Sequence, residues 1–476
     1  MNRFCLCATA AFALPSLFAA APTYNKDIAP ILNSQCAQCH RPGEVAPFSL
    51  LTYQDAAKRA PLIATVTQKR FMPPWKPEPG FGAFQHERRL TAEQIALIGQ
   101  WAKDGAPEGN PEDKPSIPVF ADGWQGGQPD LVLKAGSGFH VAADGDDRFQ
   151  CFVLPLNLEQ DSYIRTAEFR PGNRRVVHHG VIYVDESGAA RRLAANSPDG
   201  SYPCFGGPRV AASGLLDGWA PGTITQPGDP ALSIPIKKGG DLVLQIHYHP
   251  DGKAETDISS VGVTFSGPPA HGRTSMVMVN TNFDIPPGDA HYLVRSSLTM
   301  PRDVDIAGVF PHAHWLCKTM KVDAHLPDGT VTPMIHIADW DFNWQGGYRY
   351  QTPVHLPKGT RLELEYTYDN SAKNPRNPSN PPAAVEFGEQ TTDEMAVAFF
   401  TVVLPSPADV APFRREMRLA VLEDMLASGD LTALDRLPGM NGRGKMLLDR
   451  FDANHDGKLD ETERANLMTF LRSMMR

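Results

Sequence analysis

Apolar and polar positions alternate in short runs through most of the chain, as in VVHHGVIYVD (176–185) and DLVLQIHYHP (241–250). Successive side chains of a strand point to opposite faces, so this alternation predicts half-buried β structure. The 40 Gly and 43 Pro residues are scattered among Val, Ile, Tyr and Phe runs and punctuate the region with turns. The pattern changes at both ends. YNKDIAPILNSQ sets Ile28, Ile31 and Leu32 on one helical face. In LTAEQIALIGQWAKDG, Thr91 and Gln94 make a capping box, followed by an apolar face at Ile95, Ile98 and Trp101 or Ala102. Beyond residue 405, Phe413, Met417, Val421 and Met425 return to near-helical spacing, for which core packing is a sufficient account.

The chain of 476 residues is too long for one ordinary core, so several modules are expected. Its net charge of −9 with no long basic run argues against nucleic acid as a partner. MNRFCLCATAAFALPSLFAAAP has a basic residue, an apolar run broken by Pro15 and small residues at Ala19 to Ala21. It predicts a secretory signal over 1–21, hence a periplasmic or secreted protein, and no other segment reads as a membrane anchor. Cys5 and Cys7 leave with the signal. Cys36, Cys39, Cys151, Cys204 and Cys317 then meet an oxidising compartment that permits pairing.

CAQCH at 36–40 has the C-x-x-C-H spacing of covalent haem attachment, in which two thiols bond the porphyrin vinyls and the adjacent His binds iron. A redox dithiol or a disulfide is the alternative, disfavoured by the trailing His40. Met72 in RFMPPWKP, held in an extended loop by Pro73 and Pro74, is the second axial ligand expected, with His86 as its rival. Helix, haem motif, Met loop and helix in that order resemble a small class I cytochrome c over 22–108. GAPEGNPEDKPSIP (105–118) is linker-like in composition, and the linker is placed at 109–124.

Three histidine pairs lie beside apolar strands: His178 with His179, His247 with His249, and His312 with His314. Residues two apart share a face of a strand, so H-x-H can chelate one metal. Adjacent residues do not, so His178 and His179 share a metal only at a bend or strand edge. Each pair taken alone is also explained as a hydrogen-bonded polar face. Imidazole-rich sites suit copper or zinc, and a thioether in the set selects copper. In VFPHAHWLCKTMKV two sulfurs lie near the last pair. Cys317, on the same strand at odd spacing, is expected to face away, and Met320 sits too far along the strand.

VVHHGVIYV, LVLQIHYHP, FPHAHWLCKTMKV and TTDEMAVAFF, in this order over roughly 125–405, resemble the copper type II, ascorbate-dependent monooxygenases, the group of dopamine β-hydroxylase and peptidylglycine α-hydroxylating monooxygenase. The resemblance implies two tandem antiparallel β-sandwich, jelly-roll-like domains, 125–268 and 269–405, each with one copper. It implies that His178, His179 and His247 bind the first copper, which stores and passes an electron. It implies that His312, His314 and Met395 bind the second, where O2 is activated beside the substrate C–H bond. Cys151 and Cys204 fall where the family places a disulfide, which leaves Cys317 unpaired. Peptide-hydroxylating relatives carry a substrate-clamping Arg two positions before H-x-H and polar and Tyr side chains after the copper Met. Here those positions are Phe310 and Ala396 to Phe399, so a less charged small organic substrate is expected. A fused haem would supply electrons within the chain, drawn from ascorbate or a periplasmic redox protein.

DANHDGKLDETE from Asp452 fits an EF-hand calcium loop. Asp452, Asn454, Asp456, the Lys458 carbonyl, Asp460 and Glu463 are the expected Ca2+ ligands, with Gly457 at the turn, in a helical segment 406–476. The whole reading is thus a multidomain exported oxidoreductase: an all-α haem c domain, two sandwiches holding two copper ions, and a single EF-hand. A non-catalytic copper and haem electron-transfer protein is the alternative. A hydrolytic zinc enzyme lacks a carboxylate base at H-E-x-x-H spacing.

Overall fold

The computed structural model describes residues 21–120, 123–205, 207–210, 214–427 and 443–474. The expected signal therefore lies, all but its last residue, outside the described residues. The chain divides into two compact units, one of 1–74 with 88–120 and the other of 75–87 with 121–476. No described helix is long and apolar enough to cross a membrane.

The described part of the first unit contains helices and turns and no strand. A π-helical turn, Tyr24–Ile28, runs into the helix Ala29–Gln35, and Ile28, Ile31 and Leu32 are buried as their spacing predicts. The helix Ala92–Lys103 begins with both halves of the Thr91 and Gln94 capping box and buries Ile98 and Trp101. Two expectations change. The expected module 22–108 is interrupted, because Trp75–Glu87 belongs to the other unit. There Trp75 and Phe84 pack on a sheet core, and Phe84 bridges to Tyr350 and Pro77 to Ile337. The chain also bends at Met72 and Pro73 where an extended loop was expected.

The second unit is mostly antiparallel β-sheet, consistent with sandwich domains. In its first half, a four-stranded sheet (Leu131–Lys134, Ser260–Phe265, Ser162–Arg170, Ile234–Ile236) shares one core with a five-stranded sheet (Ser201–Pro203, Arg148–Pro155, Asp241–Tyr248, Val177–Asp185, Gly214–Trp219). Phe152, Ile164, Phe169, Ile182, Leu244 and Val261 meet there. In the second half, the sheet Gly272–Asn280, Ala396–Leu404, Val304–His312, Tyr348–Leu356 shares a core with Tyr292–Thr299, Arg361–Tyr368, Cys317–His325, Val331–Ile337.

The Asp241–Tyr248 strand departs from the half-buried expectation, since all eight of its residues are buried. Leu242, Leu244 and Ile246 face the shared core, while Val243 packs on the opposite side with Cys151, Tyr202 and Cys204. Cys151 and Cys204 are joined, the disulfide that the resemblance implied. A second layer has covered the face that alternation assigned to water.

The helix Val410–Ala427 follows the sheets, with Phe413 and Met417 in the second core. The helices Arg443–Phe451 and Glu461–Met474 flank the acidic loop and pack through Leu447, Phe451, Leu467 and Phe470.

Candidate metal centre

His178 and His179 resolve their parity conflict through a bulge. Along the pairing of Val177–Asp185 with Asp241–Tyr248, Val177 lies opposite Tyr248 and His179 opposite His247, so His178 is the extra residue. A bulge bends the strand and re-aims a side chain, which lets adjacent residues serve one site. Three Nδ1 atoms then converge: His178 to His179 at 3.1 Å and His179 to His247 at 3.3 Å. Bonds of about 2.0–2.1 Å to one metal set its ligand nitrogens roughly 2.9–3.6 Å apart, so the spacing fits a shared ion. Among the described residues these three histidines form a group able to hold one.

The far side of His247 is organised too. Phe149, its cross-strand neighbour, stacks on the ring at 4.2 Å. Nε2 lies 3.0 Å from Asp147 Oδ2, off the axis of a straight hydrogen bond. Asp147 also bonds His249 Nδ1 through Oδ1 at 2.6 Å and accepts from the Thr391 backbone N–H at 3.2 Å. Burial opposes its charge, yet the contacts with His247, His249 and Thr391 hold its pKa well below the usual carboxylate range. A carboxylate behind an imidazole fixes ring orientation and raises ligand basicity.

His312 closes its strand, and His314 lies in the bend after it. Both rings spend Nδ1 on the protein. His312 Nδ1 donates to Gln345 Oε1 at 2.5 Å and His314 Nδ1 to the Asp393 carbonyl at 2.9 Å. Nε2 is thereby left as the ligating nitrogen of each. Burial pushes the pKa of His178 down to about 3 and that of His312 to about 4, and those of His179 and His314 well below the ordinary value. These four are neutral at physiological pH and keep a lone pair for a metal.

The bend is pinned by Glu394. Its buried carboxyl accepts from the backbone N–H groups of His314 at 2.9 Å, Leu316 at 2.5 Å and Met395 at 3.2 Å. Burial raises its pKa to about 8 against those donors. Val397 pairs with His312 at the end of the ladder, and beyond it Glu394 Oε2 accepts from both His314 N–H and Met395 N–H, which holds the two backbones near one carboxyl. The Met395 carbonyl accepts from Tyr368 Oη at 2.7 Å. Phe310 and Phe399 form a cross-strand pair with ring centroids 6.1 Å apart, on the His312 face by strand parity.

Cys317 is placed differently from the expectation. It opens the strand Cys317–His325, which belongs to another sheet than Val304–His312. Strand parity cannot relate residues across the bend at 313–316. Cys317 is a free, buried thiol whose Sγ contacts the Thr319 carbonyl at 3.6 Å.

Sequence reasoning missed Asp147, Phe342, Gln345 and Glu394. Trp340–Gly347 is a loop that touches both histidine sets. Phe342 stacks on His178 at 4.8 Å and meets His314 edge-on at 5.6 Å, and Trp340 Nε1 donates to the His314 carbonyl at 3.0 Å. The rings of His179 and His312 are themselves 6.3 Å apart.

In the helical unit Cys36 and Cys39 form no disulfide, and His40 Nδ1 meets the Phe48 carbonyl at 3.1 Å. That contact occupies Nδ1 and leaves Nε2 as the nitrogen that would bind iron, so two thiols and an imidazole are present in the set a covalent haem would need. Met72 belongs to the same unit. In the C-terminal loop Asp452 and Glu463 are buried, and Gly457 takes φ +83°, a region that suits a residue without Cβ. Asp456 N–H donates to Asn454 Oδ1 at 2.9 Å, Lys458 N–H to Asp456 Oδ1 at 2.8 Å and Asp460 N–H to Glu463 Oε2 at 2.8 Å.

No family profile matches the chain, and no curated protein matches it. Among solved structures it is similar to a recombinant peptide N-glycanase F, at 13% identity and TM-score 0.28, over 58% of this chain and 96% of that one. It is also similar to the major capsid protein P2 of bacteriophage PM2, at 9% identity and TM-score 0.20, over 51% of this chain and 99% of that one. Overlaps this loose carry no argument about function.

Proposed function

We propose that the chain is an exported copper-dependent monooxygenase that hydroxylates a C–H bond of a small organic substrate, with electrons supplied through a c-type haem. The observation that carries this reading is the pair of histidine sets, three rings converging through Nδ1 and two whose Nδ1 is bonded to the protein, which leaves Nε2 to ligate. His178, His179 and His247 would hold one copper; His312, His314 and Met395 the other. The balanced reaction is RH + O2 + 2e− + 2H+ → ROH + H2O. Copper bound there supplies one-electron chemistry and an open position for O2.

The protein residues supply the rest. Asp147, Gln345 and the Asp393 carbonyl orient the rings, and Glu394 holds the bend that carries His314. Phe310 and Phe399 offer an apolar surface on the His312 face, which favours an uncharged substrate. Cys36, Cys39, His40 and Met72 would hold the haem, which an external donor, ascorbate or a periplasmic redox protein, would reduce. The loop 452–463 would bind Ca2+ as a staple between its two flanking helices.

Metal content and reductant-dependent O2 uptake of the full chain test the reading, against His312→Ala and Met395→Ala. Two coppers per chain with uptake lost in both variants is the expected result. Stoichiometric zinc, or copper without O2 chemistry, would sink it; the latter outcome leaves an electron-transfer protein. Rapid mixing tests internal delivery: prereduced haem should reoxidise when the copper-loaded chain meets O2 and substrate.

A further inference from the structure

The helix Val410–Ala427 has two apolar faces. Phe413, Met417 and Ala420 recur at i, i+4 and i+7 and are buried in the core of the second half of the β unit. At about 100° per residue, Leu419 and Leu422 point to the other side, where they pack against Leu459, Leu467 and Met468. A helix that only covered the sheets would carry polar residues on that outer face. Its flank is fixed as well. Arg302 Nε and Nη2 donate to Glu416 on the helix at 2.7 Å each, and Nη1 donates to Asp409 in the turn before it at 3.3 Å. Arg302 stands just before the strand Val304–His312.

We propose that this helix is the docking partner of the calcium hand: an ion in loop 452–463 sets the hand's apolar face against Leu419 and Leu422 and so fastens the helix to the second half of the β unit. Two observations join the ion to that face. Leu459 lies in the loop itself, between the Lys458 carbonyl and Asp460, both expected ligands, and it is buried in the shared apolar cluster. An ion that fixes residues 458 and 460 fixes the side chain between them. Asp452 and Glu463, 6% and 5% exposed, are already held in place by the loop backbone. Asp452 Oδ2 accepts from Gly457 N–H at 2.9 Å and Glu463 Oε1 from Ala453 N–H at 2.7 Å, and each carboxylate keeps lone pairs for a cation. Glu463 also belongs to the helix Glu461–Met474, which supplies Leu467 and Met468. The sequence contains no second D-x-N-x-D-G loop for this hand to pair with. An amphipathic helix laid into an apolar groove is the kind of partner that a calcium hand takes.

This inference rests on the calcium reading of the loop and is independent of copper and haem. The full chain is prepared in chelator and brought to rising free Ca2+. Calcium binding is measured by calorimetry, and backbone hydrogen exchange is read over 410–427 and 443–474. An ion that binds only the docked state lowers the undocked population in proportion to its concentration over Kd. At 100 times Kd, exchange in 410–427 should therefore slow roughly 100-fold, in step with the loop. Calcium that binds but slows exchange only within 443–474 would overturn the inference and leave the calcium site standing. Absence of calcium binding would remove both. Leu459→Ala should still bind calcium and lose most of the slowing in 410–427; Leu422→Ala makes the same test from the helix side and serves if the first variant does not fold. Slowing that persists undiminished in these variants would overturn the contact. Glu463→Gln should abolish calcium binding and the slowing together, and slowing that survives in it would overturn the assignment to this loop.

Discussion

The two histidine sets use one side chain in opposite ways. In the first half of the β unit a bulge on a central strand crowds three Nδ1 atoms together, and the rigid sheet does the positioning. In the second half His312 closes its strand and His314 follows it, and the Gln345 side chain and the Asp393 carbonyl tie up Nδ1 and leave Nε2. The sheet aims its three rings with one carboxylate, Asp147, behind His247. A bend needs Gln345, the Asp393 carbonyl and Glu394 to do the same work, so the second set depends more on polar partners outside it.

The largest effect that breaks the comparison is His179→Ala. It removes the nitrogen shared by both close contacts, and one copper per chain should be lost while the His312 set retains its own, as read by metal analysis. A chain that loses both coppers would show that the halves are not separately built.

The disulfide divides the halves next. Cys151–Cys204 closes a separation of 53 residues beside the first set, and the chain-entropy estimate for such a loop is roughly 4 kcal/mol. Cys151→Ala with Cys204→Ala should lower the denaturation midpoint of the first half and leave the second unchanged, measured by hydrogen exchange on each half.

Orienting partners come third. Asp147→Asn and Gln345→Leu should each weaken copper binding by about 10–100-fold at the set they support. If the bend depends on polar partners as argued, the Gln345 variant loses more. Equal losses would mean that the sheet is no better a scaffold than the bend.

The smallest effect concerns the apolar pair. Phe399→Ala should raise KM for an apolar substrate several-fold, with copper content and kcat nearly unchanged, because about 1 kcal/mol of lost apolar contact is roughly fivefold in binding. An unchanged KM would place the substrate elsewhere.

Local motifs were legible in the chain because all their parts lie within a few residues. The capping box at Thr91 and Gln94 formed as spaced. The C-x-x-C-H run and the acidic loop can be read the same way, since their residues sit within one turn or one loop. The three histidine pairs are legible too, and Cys151–Cys204 is the pairing that the resemblance implied. What failed were inferences that crossed a break in regular structure. The parity argument at Cys317 assumed one strand where the chain bends into a second sheet. The half-buried reading of Asp241–Tyr248 assumed one covered face where the disulfide layer covers the other.

The sequence alone determined which side chains were available: imidazoles beside apolar strands, thiols before a histidine, carboxylates at loop spacing. Side-chain chemistry and near-neighbour geometry are set by covalent order, and need nothing else. Only the tertiary structure decided which nitrogen each ring offers, that the bulge lets His178 join His179, and that Phe342 and Asp147 reach across from one half to the other. Those choices depend on hydrogen bonds and ring contacts between residues up to 244 positions apart, as for Asp147 and Thr391, and no local pattern can encode a partner that only folding brings near.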